Sequence, residues 1–151
     1  MLEVDKPADM ANHVGKDLGA SEWVLVDQDR INKFADATGD HQWIHVDLER
    51  ARDEMPGGKT IAHGFLTLSL IPLLSASIYR IKRSSRGINY GLDRVRFTSP
   101  VSSGSRVRLA QTLKSVEPVS GGQRLTLESR IEIEGQERPA LVAETIFLSY
   151  D

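Results

Sequence analysis

The sequence predicts an α+β domain in which a curved antiparallel sheet wraps around one long apolar helix. Two observations lead there. The first half holds a single long apolar stretch, Ile61–Tyr79. The second half holds four runs rich in Val, Ile, Leu, Thr and Phe, separated by turn chemistry. Helices first and a strand meander after is the α+β pattern, and a long apolar helix needs a sheet to cover it.

The elements follow in order. Glu22–Val26 alternates with apolar residues and reads as a short strand. Asp27 sits where a helix N-cap belongs. Ile31, Phe34, Ala35 and Thr38 recur at helical spacing, and Gly39 closes the segment, so the helix spans Gln28–Thr38. Gly39–His45 reads as a loop. Asp47 is a second N-cap, Leu48–Glu54 a short charged helix, and Met55-Pro56-Gly57-Gly58 breaks it. The apolar helix runs from Gly64 to Tyr79, roughly 24 Å at 1.5 Å per residue. Pro72 inside it predicts a kink or a break.

Ile88–Phe97, Arg106–Glu117, Arg124–Glu134 and Leu141–Tyr150 are the expected long strands. In the third, Leu125, Leu127, Ser129, Ile131 and Ile133 mark one face, with Thr126, Glu128, Arg130 and Glu132 on the other. The 151 residues hold no repeat and no linker, so they form one domain, 1–151.

Composition narrows the function. Lys and Arg number 19 against 21 Asp and Glu, a net charge of −2, which lacks the basic excess of a general nucleic-acid binder. The absence of Cys excludes a disulfide framework, thiolate metal ligands and a thiol nucleophile. The first residues carry acids and no apolar core, unlike an export signal. Ile61–Tyr79 approaches the length of a membrane span, but His63, Gly64, Thr67, Ser69, Pro72, Ser75 and Ser77 interrupt it, so a helix enclosed by protein is expected instead. A cytoplasmic enzyme is the simplest reading.

Titratable groups are densest in Gly39-Asp40-His41-Gln42-Trp43-Ile44-His45. A loop can turn Asp40 and His45 toward one point, where a carboxylate and an imidazole hold a water and exchange protons with it near neutral pH. From residue types alone the plainer account, a capping Asp40 and a packing or surface His45, is the stronger. Thr60-Ile61-Ala62-His63-Gly64-Phe65 opens the apolar helix, where backbone N–H groups lack partners and Gly64 admits a ligand closely. Alone this is a plain helix start, and His63 reads as structural. Asp40, His41, His45 and His63 match no compact zinc spacing, so no metal is expected. No nucleophile elbow, dinucleotide loop or Walker loop occurs. Lys82-Arg83-Ser84-Ser85-Arg86 reads as a solvated helix end, with a phosphorylated ligand as the competing reading. Trp43 reads as packing the loop against the core, with lining a pocket as the competing reading.

Phe34-Ala35-Asp36-Ala37-Thr38-Gly39-Asp40-His41-Gln42-Trp43-Ile44-His45 resembles the signature segment of the MaoC-like, (R)-specific enoyl-CoA hydratases, which runs Gly-Asp, a short spacer usually containing Asn-Pro, an aliphatic residue and His. Gly39-Asp40, Ile44 and His45 match in order and spacing. Ala62-His63-Gly64-Phe65-Leu66-Thr67 resembles the family's second segment, at the start of its central helix. The chain departs where Gln42-Trp43 replaces Asn-Pro, which alters loop shape and bulk and leaves the acid–imidazole pair intact.

The resemblance implies a hot-dog fold, an acyl-CoA thioester substrate, no metal or redox cofactor, and a homodimer whose sheets pair edge to edge. It implies reversible syn hydration of a trans-2-enoyl-CoA to an (R)-3-hydroxyacyl-CoA. Asp40 and His45 would be the catalytic pair, sharing the work of base and acid, and the Gly64 amide would hold the thioester oxygen. A hot-dog thioesterase and a catalytically silent acyl-thioester binding subunit are the alternatives.

Overall fold

Residues of high β-propensity in period-2 alternation fill the second half of the chain, and tight turns fold them back on one another. The computed structural model describes residues 1–151. The first half contributes β1 (Leu2–Val4), a 3₁₀ turn at Pro7–His13, β2 (Asp17–Ala20), β3 (Val24–Val26), α1 (Gln28–Thr38), α2 (Trp43–Val46) and α3 (Leu48–Glu54). After a 3₁₀ turn at Pro56–Gly58 come α4 (Gly64–Ser69), α5 (Ile71–Ser75) and β4 (Tyr79–Ile81). The long strands are β5 (Arg86–Phe97), β6 (Ser105–Val119), β7 (Gly122–Ile133) and β8 (Leu141–Tyr150).

The main sheet is antiparallel, in the order β2-β6-β7-β8-β5, with β3 also on β6. Leu109 pairs with Ile131, Gln111 with Ser129 and Leu113 with Leu127, which places these residues on one face. All five residues expected on the inner face of β7 are buried. α4 and α5 lie across that face, packing Leu66, Leu70, Ile71 and Leu74 against Val107, Leu109, Ile131 and Leu141. A smaller apolar cluster joins Leu113, Leu125 and Leu127 to Val4 and Met10 from the N-terminal segment. A sheet wrapped around a helix is the hot-dog arrangement, as the sequence predicts.

Both expected N-caps are present: Asp27 accepts from the Arg30 N–H and Asp47 from the Arg50 N–H. Gly39 ends α1 in the left-handed region, at φ 82°, where a side chain would be strained. Three expectations need correction. The apolar helix does not run to Tyr79: it stops at Ser69, resumes at Ile71 and ends at Ser75. Pro72 has no N–H to continue a helix from α4, yet fits the first turn of a new one. Tyr79 is drawn off into β4, a short parallel pair with β1. The Gly39–His45 loop closes early, because a helical turn begins at Trp43 and carries His45. The basic run is not a helix end. Lys82 pairs with Glu3 at 3.2 Å and Arg83 with Asp5, closing the β1–β4 ribbon and engaging two of its cations.

Leu109 is fully buried at the centre of the larger cluster, whereas Glu128 lies on the opposite, exposed face. Leu109→Ala is expected to cost about 2–5 kcal/mol of unfolding free energy in urea titrations. Glu128→Ala should stay within about 0.5 kcal/mol of the parent. Equal losses would contradict the assignment of the inner face.

Candidate active site

Three segments meet at the N-terminal end of α4. α1 delivers Gly39-Asp40 at its C-terminus, α2 carries His45, and the turn into α4 supplies His63 and Gly64. A carboxylate oxygen of Asp40 and one ring nitrogen each from His45 and His63 all lie within 4.8 Å of one another. Asp40 is exposed, while His45 and His63 are 6% and 3% exposed. The two sequence candidates, Asp40 and His45, are thus brought together, and His63 joins them.

Hydrogen bonds orient each ring. His45 Nδ1 is 2.6 Å from the Ile61 carbonyl oxygen. A carbonyl only accepts, so Nδ1 carries the proton and Nε2 keeps a lone pair. Burial lowers the His45 pKa; the bond to Ile61 and the charge of Asp40 oppose that shift, while His63 adds to it. Near neutral pH His45 is therefore an uncharged imidazole with a free acceptor nitrogen. His63 Nε2 donates to the backbone oxygen of Asp40 at 2.9 Å, and its Nδ1 is buried without a partner. The two imidazoles stack at 3.8 Å between centroids, with Phe34 against the outer ring at 4.9 Å. The Asp40 carboxylate also accepts from the Gln42 N–H at 3.2 Å, which folds the loop toward α2.

The backbone around the pair is fastened from several sides. Gln28 Nε2 donates to the His45 carbonyl at 2.7 Å, and Gln28 Oε1 accepts from the Thr60 hydroxyl at 2.5 Å. Ile61 N–H donates to Ile44, and Ala62 N–H to Val101. As the first residue of α4, Gly64 has an N–H with no intrahelical acceptor. A Cβ at Gly64 would lie 3.0–3.1 Å from the Phe97 ring, so glycine is what admits this phenyl group. Two cavities of about 270 and 300 Å³ meet here and share His45, Gly64 and Phe97 in their walls. A larger one, about 700 Å³, lies farther along α4 and α5.

Sequence reasoning missed Gln28, Phe97 and the Ile61 carbonyl. The carbonyl carries no residue signature, and Gln28 and Phe97 read as ordinary members of a helix and a strand. His41 stays outside the cluster, exposed and paired with Asp36 at 3.0 Å, a bond that raises its pKa. Trp43 is half-buried beneath Arg50, whose guanidinium is 4.0 Å from the ring centre.

Asp40, His45 and His63 are also the residues that could ligate a metal, a grouping invisible in their spacing. Atoms within 4.8 Å of one another can also be joined by one water through hydrogen bonds of roughly 2.8 Å. The arrangement can therefore hold a water between an acceptor nitrogen and a carboxylate, with an unpaired amide nearby.

A family model for the MaoC-like domain matches residues 9–134. The 3-hydroxyacyl-thioester dehydratase Z of Mycobacterium tuberculosis is 49% identical over 147 residues, 97% of each chain. Nodulation protein N of Rhizobium leguminosarum bv. viciae is 52% identical over 142 residues, 92% of this chain and 88% of that one. Among solved structures, unliganded R-hydratase PhaJ1 from Pseudomonas aeruginosa superimposes with a TM-score of 0.74 at 21% identity, over 91% of this chain and 82% of that one. Its likeness shows the fold. With the family model covering most of the sequence and relatives near half identity, the chain belongs to the MaoC-like dehydratases and is a hydro-lyase.

Proposed function

We propose that this protein catalyses the reversible hydration of a trans-2-enoyl-CoA to an (R)-3-hydroxyacyl-CoA, using Asp40, His45 and the Gly64 amide and no metal or redox cofactor. The observation that carries the reading is the His45 ring, proton-bearing toward Ile61 and lone-pair-bearing at Nε2, beside the Asp40 carboxylate.

The chemistry needs a water activated to attack C3, a place for negative charge on the thioester oxygen, and a proton for C2. A water between His45 Nε2 and Asp40 loses a proton to the pair as its oxygen bonds to C3. The electrons of the double bond move toward the thioester carbonyl, whose oxygen accepts from the Gly64 N–H. The proton returns from the pair to C2, so one water supplies both added atoms to the same face. Dehydration is the reverse path.

A homodimer accompanies this reading. β5 bonds only to β8, so its other edge is open along a 12-residue strand. Ile88, Tyr90 and Leu92 are exposed on it. Pairing with β5 of a second copy would satisfy the edge and cover these side chains.

Asp40→Asn and His45→Ala are each expected to retain the fold and lose on the order of 10²–10⁴ in turnover of crotonyl-CoA. Loss of enoyl absorbance with chiral analysis of the product checks this. An (S) product, free thiol release, or near-parent rates in either variant would overturn the assignment.

The pH profile is a separate test. His45 works as a base only when neutral, and its pKa is lowered below 6.5 by burial. Activity should persist below pH 6.5 and fall only as pH drops through the depressed value. The profile of kcat/KM reports the free enzyme, and an acid limb centred at or above 6.5 would contradict His45 as the base.

A further inference from the structure

A cavity of about 700 Å³ opens beside the broken helix and shares no wall residue with the two cavities at His45. It begins at Leu68, roughly 6 Å of helix beyond Gly64, and extends past Ser75, roughly 16 Å beyond, at 1.5 Å per residue. An acyl chain whose thioester oxygen sits at Gly64 and which follows α4 reaches this space only after its first few carbons.

The walls are not uniformly apolar. Between the two apolar clusters of the sheet's inner face runs a row of polar side chains. Gln111, 2% exposed, accepts from the Ser75 hydroxyl at 3.0 Å and donates to the Ser129 hydroxyl at 2.9 Å. Ser129 shares a further bond with Thr145 at 2.9 Å. A carboxamide has two N–H groups and two acceptor lone pairs, so Gln111 keeps one of each unused. Tyr79 lines the same cavity. Tyr79 is half-buried against both apolar clusters, and burial pushes its phenol up to about 12. An apolar tail filling the cavity would take this phenol and the spare Gln111 positions out of contact with water without pairing them, which is costly.

We propose that the large cavity binds the distal part of the acyl chain and selects chains bearing a hydroxyl or carbonyl oxygen there, with Tyr79 and Gln111 as specificity-determining residues. The inference rests on the proposed thioester chemistry and adds the class of acyl group. Crotonyl-CoA is too short to reach the cavity, so it reads the catalytic pair alone.

The test compares trans-2-enoyl-CoA substrates of eight to twelve carbons, each with and without a terminal hydroxyl. At the length that reaches Tyr79, the hydroxylated chain should show a kcat/KM about three- to tenfold higher, expressed mainly in KM, as one added hydrogen bond allows. Tyr79→Phe or Gln111→Leu should reduce that preference toward parity and leave crotonyl-CoA turnover unchanged. Calorimetry with saturated dodecanoyl-CoA and its terminal-hydroxyl counterpart reads the cavity without turnover and should give the same order. Equal or better use of the plain chains at every length, or a preference that survives both substitutions, overturns the proposal. Failure of the parent protein to hydrate crotonyl-CoA would instead overturn the hydration reading, while the calorimetric comparison still decides the cavity.

Discussion

The bond from His45 Nδ1 to the Ile61 carbonyl is the constraint on which the site depends. It settles which ring nitrogen carries the proton and fixes the plane of the imidazole at 2.6 Å. Without it, a ring 6% exposed would be free to present either nitrogen to Asp40. Burial alone favours the neutral ring, but only a directional acceptor distinguishes its tautomers.

The carbonyl can play this part because its own strand of backbone is pinned. Ile61 donates to Ile44 and forms an isolated bridge with Ser102, while Ala62 donates to Val101. The segment is thereby joined to the helical turn that bears His45 and to the loop between β5 and β6. Gln28 adds a cross-tie, one end on the His45 carbonyl and the other on Thr60. Both ends of the His45–Ile61 bond are consequently held by elements that pack on the same core, and the apolar burial that orders the fold also orders the base.

What could be read in advance follows from the range of each interaction. α1 and α3 are legible to the residue because their signals are local: Asp27 and Asp47 cap them, and Gly39 and Met55-Pro56 end them. β8 is legible for a similar reason, with turn residues before it and the apolar pieces Leu141–Ala143 and Ile146–Leu148 within it. β1 and β4 are not, because three residues become strands only by pairing across the chain, Leu2 with Tyr79. The end of the apolar helix was hidden by the same pairing. At the site, Asp40, His45 and Gly64 are visible as residue types in familiar spacing. The role of His63 depends on stacking and on a backbone acceptor, and that of Ile61 on a carbonyl oxygen common to every residue.

His63 shows why the site cannot be divided into catalytic groups and scaffold. One nitrogen holds the backbone of Asp40, and its ring face supports that of His45. It therefore fixes the separation of the carboxylate and the imidazole, the distance that decides whether one water can touch both. Its other nitrogen is buried with no partner, a cost the fold carries. A smaller polar group in place of the ring would keep one bond at most and would remove the flat surface against which His45 rests. The unpartnered nitrogen is then the consequence of needing an aromatic ring that also donates a hydrogen bond, a combination that an imidazole supplies within the volume between Phe34 and His45.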